Sequence, residues 1–67
     1  MIVEKQFDKD VFLADIKEEM AYLGMKVSEL SANTKISTER LRTLFHRPYS
    51  SFKPEEIKAI EKVLGMD

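Results

Sequence analysis

The stretch VSELSANTKISTERLRTLF, residues 27–45, predicts two short helices joined by a tight turn. Apolar residues recur at helical spacing on both sides of a polar break, which is typical of two amphipathic helices that face one core. These residues are Val27, Leu30 and Ala32 in the first helix, Ile36 in the turn, and Leu41, Leu44 and Phe45 in the second helix. The pattern therefore predicts one helix over residues 27–34 and another over residues 38–46.

Residues at the ends of these two helices carry further local signals. The hydroxyl of Ser37 can accept a hydrogen bond from a free backbone amide in the first turn of the second helix. Lys26 has no acceptor, so the first helix lacks the roughly 1 kcal/mol that a Ser, Thr or Asp cap supplies. Lys35 is expected either to adopt a left-handed conformation that glycine adopts more easily, or to lie in a turn of slightly different geometry.

Two further helices are expected on either side of this pair. Asp8 or Asp10 can cap a helix that ends at about Leu23, with Gly24 after its last turn. Pro54 suits the first position of a final helix that Gly65 ends. The apolar residues predicted to be buried are Phe12, Leu13, Ile16, Met20 and Leu23 in the former helix, and Ile57, Ile60, Val63 and Leu64 in the latter.

The first seven residues, MIVEKQF, alternate loosely between apolar and polar side chains. This pattern predicts a short strand or an arm at residues 1–7. A single strand has no partner within the chain, so its expected uses are to pack Phe7 onto the domain or to pair with a second copy.

Length and composition favour a single small globular domain. The chain has 67 residues, of which 43% are hydrophobic and 34% charged, as in ordinary folded domains. It contains no cysteine, which excludes a disulfide framework and a thiolate metal site and fits a reducing cytoplasm. We find no apolar run near the roughly 20 residues of a membrane span, and no signal-peptide core at the start. The expectation is a cytoplasmic, all-α domain over residues 1–67.

Charge is distributed unevenly along the chain, although the formal net charge is only −1. The first twenty residues are rich in acidic side chains, whereas residues 35–53 contain a single acid, Glu39. The basic side chains of that second region are Lys35, Arg40, Arg42, Arg47 and Lys53, with His46 among them. A basic patch is the expected footprint of phosphate contact, and a solvated surface is the alternative interpretation.

The sequence gives little indication of a catalytic site. His46 is the only histidine, and no Gly-rich loop or paired-carboxylate spacing stands out. No metal-ligand spacing is present either. We therefore expect no enzymatic activity, no cofactor, no metal and no small-molecule substrate.

Residues 16–65 resemble the lambda-repressor-like helix-turn-helix family, the Cro and CI-type regulators of bacteria and temperate phages. The resemblance is carried by MKVSELS at residues 25–31, by KIS at residues 35–37, and by the Leu-Gly pair at residues 64–65 that closes the last helix. It implies a compact bundle of about four helices whose second motif helix enters the major groove of an operator. It also implies a regulator in a phage lysis-lysogeny switch that works as a homodimer, because one recognition helix reads one half-site.

The resemblance also assigns candidate binding residues. Base-reading positions fall on Thr38, Glu39 and Thr43, with Arg42 close by, since a glutamate can accept from cytosine N4 and a threonine can touch a thymine methyl. Phosphate-contact candidates are Arg40, Arg42, Arg47, Tyr49, Ser50 and Lys53, and Ser37 completes the set at the start of the helix. For each of these residues taken alone, the alternative interpretation is that it is simply a solvated surface side chain.

A second hypothesis keeps the fold and changes the partner. Val27 stands where the family usually has a glutamine that helps to clamp the DNA backbone, and Glu39 places negative charge where phosphates line the groove. Phage switch proteins with this fold include antirepressors, which bind a companion repressor and block its DNA-reading surface. The acidic first helix, or Glu39 itself, could mimic phosphate toward such a repressor.

Overall fold

Four α-helices make up the regular structure of residues 7–66, which are the residues that the computed structural model describes. They are α1 (Lys9–Leu23), α2 (Val27–Thr34), α3 (Thr38–His46) and α4 (Pro54–Leu64). These residues contain no strand. The predicted all-α class is confirmed, and the helices occupy the predicted parts of the chain. The predicted arm at residues 1–7 lies outside the described residues, apart from Phe7.

Local capping chemistry explains where α1 and α3 begin. The Asp8 carboxylate accepts hydrogen bonds from the amides of Asp10 at 3.0 Å and Val11 at 3.2 Å, so Asp8, and not Asp10, is the cap of α1. The Ser37 hydroxyl accepts from the Arg40 amide at 3.1 Å, as predicted. These contacts satisfy backbone donors that have no partner within the first turn of a helix.

Helix α2 begins without a side-chain acceptor at Lys26, as the sequence predicts. The carboxylate of Glu29, three residues further on, compensates in part by accepting from the Lys26 amide at 3.3 Å. This is one half of the reciprocal pairing found in capping boxes, and it holds the chain at the entry to the helix.

The turn between α2 and α3 contains only three residues, 35–37. Lys35 has φ +64°, which is the left-handed conformation among the two expected alternatives, and its amide donates to the Ser31 carbonyl at 2.8 Å. The Ser31 hydroxyl donates to the Ile36 carbonyl, and the Thr34 hydroxyl accepts from the Ile36 amide at 3.3 Å. The turn is therefore held by the end of α2 and keeps a lysine in a conformation that disfavours side chains with a Cβ.

The left-handed lysine leads to a stability prediction. Replacing Lys35 with glycine should raise the free energy of unfolding by about 0.5–1 kcal/mol, because the steric cost of the left-handed conformation exceeds the added entropy of the unfolded chain. Urea denaturation followed by circular dichroism would measure the change. The matched control is Lys58→Gly in α4, which should instead lower stability by about 1 kcal/mol. A lower stability for Lys35→Gly would contradict the prediction.

The core lies where all four helices meet. Its fully buried side chains are Ile16, Leu30, Leu41, Leu44 and Ile60, and Phe12, Met20 and Leu64 extend it. Two of the predicted core positions are wrong. Ala32 is exposed, because two residues correspond to about 200° around a helix and Leu30 faces inward. Leu23 is 49% exposed, because it is the last residue of α1 and the chain reverses at Gly24.

Three phenylalanine rings join the start of α1 to the segment that precedes α4. The ring centroid of Phe12 lies 5.3 Å from that of Phe7 and 5.0 Å from that of Phe52, and both pairs are edge-to-face. Phe7 and Phe52 are 6.2 Å apart in a similar arrangement. This geometry is favourable for aromatic pairs, and the expected packing of Phe7 onto the domain is confirmed.

Candidate functional site

Helix α3 packs on the core with one face and leaves the other face to solvent. Leu41 and Leu44 are fully buried, whereas Glu39, Arg42 and His46 are exposed. Thr38 and Thr43 are half-buried at the border between the two faces. The predicted outward face of this helix is therefore confirmed, and we call its five polar residues, Thr38, Glu39, Arg42, Thr43 and His46, the α3 face.

The segment that follows α3, residues 47–53, carries further exposed polar side chains. Arg47, Tyr49 and Lys53 are all exposed, and Tyr49 is 80% exposed. We call this segment the 47–53 loop. With the α3 face it presents three basic side chains, Arg42, Arg47 and Lys53, and one exposed aromatic ring on adjacent parts of the chain.

Two hydroxyl groups of this region, those of Ser37 and Thr43, already make hydrogen bonds within the fold. The Thr43 hydroxyl donates to the Glu39 carbonyl one turn earlier at 2.9 Å. The Ser37 hydroxyl caps α3, as described above. A base contact by Thr43 would therefore use its methyl group or the hydroxyl oxygen as an acceptor, since the hydroxyl proton is already committed.

The Arg40 side chain, which is 31% exposed, reaches across to α4. Its Nε donates to Glu56 Oε2 at 2.8 Å and its Nη2 donates to Glu56 Oε1 at 2.9 Å. Nη2 also donates to the Ser51 carbonyl at 2.9 Å. This bidentate pair fixes the start of α3 against the start of α4, so Arg40 serves the fold, and the phosphate-contact hypothesis rests on Arg42, Arg47, Tyr49 and Lys53.

Glu56 lies in the first turn of α4 and is only 8% exposed. Its Oε1 accepts from the Lys53 amide at 2.8 Å as well as from Arg40. Hydrogen bonding from the Arg40 guanidinium lowers the pKa of Glu56 despite the opposing effect of burial, and the same contact raises the pKa of Arg40. Lys53 is the cap of α4 and Glu56 lies three residues after it, a spacing that is typical of the contact with the Lys53 amide. Nothing in the sequence indicated that Arg40 is the second partner of Glu56.

Ser50 is also held within the fold. Its Oγ lies within hydrogen-bond distance of the carbonyl oxygens of Thr43, at 3.0 Å, and Arg47, at 2.7 Å. It accepts in turn from the ammonium group of Lys9 at 2.9 Å. Lys9 is a residue that sequence reasoning missed, because 41 residues separate it from Ser50.

Two surface depressions accompany these features. A cleft of about 160 Å³ lies between the start of α1 and the end of α3, with Leu13, Phe45 and Arg47 in its lining. A larger groove of about 420 Å³ is lined by Asp15, Glu18 and Glu19 of α1 and by Gly65 and Met66. Within residues 7–66, no group of three or more His, Cys, Asp or Glu side chains is arranged to hold a metal ion, and no helix has the length and apolar character needed to cross a membrane.

Comparisons with known proteins gave no match, whether with family models, with curated proteins or with solved structures.

Proposed function

We propose that the chain is a sequence-specific DNA-binding transcriptional regulator of the Cro and CI helix-turn-helix type. The observation that carries this proposal is the division of α3 into a buried apolar face and an exposed polar face, directly after a three-residue turn from α2. A helix supported in this way can enter a major groove while its core side chains stay packed. The resemblance of residues 16–65 to this family adds the phage lysis-lysogeny switch as the setting.

The proposed contacts divide into base reading and phosphate contact. Glu39 lies in the first turn of α3, where recognition helices meet base edges, and its carboxylate can accept from cytosine N4. Arg42 follows on the same exposed face and can donate to guanine or to a phosphate. Arg47, Tyr49 and Lys53 extend the surface toward the backbone of the duplex. Ser37, Arg40 and Ser50 contribute by holding this surface in place.

A screen for protected sites would test the proposal. Footprinting of the purified protein over the control region of its own gene, at low salt, should reveal a discrete protected site. The apparent affinity should fall as salt concentration rises, because phosphate contacts release counterions. Two protected half-sites about one helical turn apart would show that the protein binds as a dimer. The absence of any protection at low salt would contradict the proposal.

Arg42 provides the most direct variant on the exposed face. Replacing Arg42 with alanine should weaken operator binding about tenfold, because a cation close to phosphates and base edges is lost. Titrations at several salt concentrations would distinguish its role: a phosphate contact lowers the salt slope by about 1, whereas a base contact relaxes the preference at one operator position. The control is Lys58→Ala, which removes the same charge from an exposed position on α4. Equal affinities for the two variants would exclude Arg42 from the interface.

A second candidate function is favoured by the acidic groove at α1. In this alternative the protein is an antirepressor that binds a companion repressor and blocks its DNA-reading surface. Asp15, Glu18 and Glu19 place three carboxylates around a depression of about 420 Å³, and such a surface could mimic phosphates toward a basic partner.

Co-purification with the companion repressor would test the antirepressor hypothesis. If the α3 face makes the contact, Glu39→Arg should abolish the complex, and if the acidic groove makes it, Glu19→Arg should do so instead. Binding of DNA and of repressor, measured separately, would decide between the two functions. A complex that survives both substitutions would exclude both surfaces.

A further inference from the structure

The backbone of the 47–53 loop is held at several of its carbonyl oxygens. The Arg47 carbonyl accepts from the Ser50 amide at 3.1 Å, which forms a tight turn around Pro48 and Tyr49. The carbonyl oxygens of Arg47, Ser50 and Ser51 each accept in addition from a cationic side chain. The exposed side chains of Arg47 and Tyr49 therefore project from a backbone that is fixed from the side of the protein.

Lys9 of α1 supplies three contacts to this loop. Its ammonium group donates to the Arg47 carbonyl at 2.9 Å, to the Ser50 carbonyl at 2.6 Å and to Ser50 Oγ at 2.9 Å. These three acceptors match the three donors of an ammonium group. Lys9 is the first residue of α1, so its contacts join the start of the first helix to the chain that leaves α3.

The other end of the loop is held by different contacts. Arg40 donates to the Ser51 carbonyl, and the ring of Phe52 packs edge-on against Phe12 of α1. The turn carrying Arg47 and Tyr49 is held from within by the Ser50 hydroxyl, which bonds to the Thr43 and Arg47 carbonyls, and from α1 by Lys9. Removing Lys9 would loosen this turn against α1 while Arg40 and Phe12 continue to hold the other end of the loop.

We infer that Lys9 is a positioning residue for DNA binding, which orders the turn at residues 47–50 so that Arg47 and Tyr49 meet the DNA backbone without further rearrangement. This inference rests on the function proposed above. An ordered loop loses less conformational entropy on binding than a mobile one. The Lys9 ammonium also offsets the partial negative charge of two carbonyl oxygens, which would otherwise repel phosphates near the loop.

The inference is tested by comparing Lys9→Met with Lys17→Met, which removes the same charge from an exposed position on α1. We expect Lys9→Met to weaken operator binding about tenfold, and Lys17→Met to weaken it by less than about twofold. Lys9→Arg should restore most of the affinity, because a guanidinium can donate to the same acceptors. Circular dichroism would establish that each variant is folded at the temperature of the assay.

A double-mutant cycle distinguishes positioning from a general loss of stability. In a chain that also carries Arg47→Ala and Tyr49→Ala, Lys9→Met should change affinity by less than about twofold, because the side chains that it positions are absent. Amide hydrogen exchange at Ser50 should be faster in Lys9→Met than in the wild type, independently of DNA. An equal loss of affinity in both backgrounds, or equal affinities for Lys9→Met and Lys17→Met, would overturn the inference. A wild-type protein that binds no DNA would instead overturn the proposed function.

Discussion

Replacing Leu41 with alanine should lower the free energy of unfolding by about 3–4 kcal/mol and leave much of the protein unfolded at 37 °C. Leu41 is fully buried and belongs to the cluster that joins α3 to the other helices. Its truncation removes apolar contacts and leaves a cavity that a helix bundle of this size can close only in part. Because domains have about 0.05–0.15 kcal/mol of stability per residue, this loss is a large share of the total.

Thermal and urea denaturation followed by circular dichroism would measure the effect of Leu41→Ala. Leu23→Ala is the matched control, since Leu23 is about half exposed at the end of α1 and its truncation should cost less than about 1 kcal/mol. Similar losses for the two variants would show that α3 does not depend on Leu41 for its attachment. Because the α3 face can be presented only by an attached helix, Leu41→Ala should also abolish any binding that this face performs.

The second large effect is expected at Glu56. Replacing Glu56 with alanine should lower the free energy of unfolding by about 2 kcal/mol, because its carboxylate accepts hydrogen bonds from both Arg40 and the Lys53 amide. Glu55→Ala is the control, since Glu55 is exposed on the same turn and its loss should change stability by less than about 0.5 kcal/mol. Equal effects of the two substitutions would contradict a structural role for the Arg40–Glu56 pair.

The Glu56 carboxylate should also make the free energy of unfolding depend on pH. The pKa of Glu56 is lowered in the folded protein from its ordinary value of 4.5, so the folded state binds a proton at Glu56 less readily than the unfolded state. Its contribution to stability is therefore complete above the unfolded-state pKa and is lost as the pH falls through the depressed pKa of the folded state. Urea denaturation between neutral and acidic pH should show this loss in the wild type and a smaller one in Glu56→Gln. Parallel pH profiles for the two proteins would contradict the assignment.

Local interactions account for the features that the sequence predicted correctly. The caps at Asp8 and Ser37 and the reversal at Gly24 involve residues within five positions of one another along the chain. Apolar spacing in α3 likewise predicted which of its faces is exposed. The prediction for α2 was wrong at Ala32, because Ala32 is two residues after the buried Leu30 and therefore lies about 200° away around the helix.

Contacts between distant residues could not be predicted from one sequence. Sixteen positions separate Arg40 from Glu56, and 41 separate Lys9 from Ser50. Such pairs depend on how the helices pack, and a basic residue in an amphipathic helix has the same sequence signature whether it contacts solvent, a phosphate or a carboxylate. The sequence therefore predicted the exposed surface as a whole better than the roles of Arg40 and Ser50 within it.

The separation of supporting from exposed side chains on α3 has a consequence for how this protein can diversify. Leu41, Leu44 and Arg40 attach α3 to the rest of the protein. By contrast, Glu39 and Arg42 lie outside the core. Substitutions at the latter two positions can alter the recognised surface at little thermodynamic cost, since exposed sites usually tolerate change. One scaffold could in this way acquire new binding preferences by single substitutions, without compensating changes in its interior.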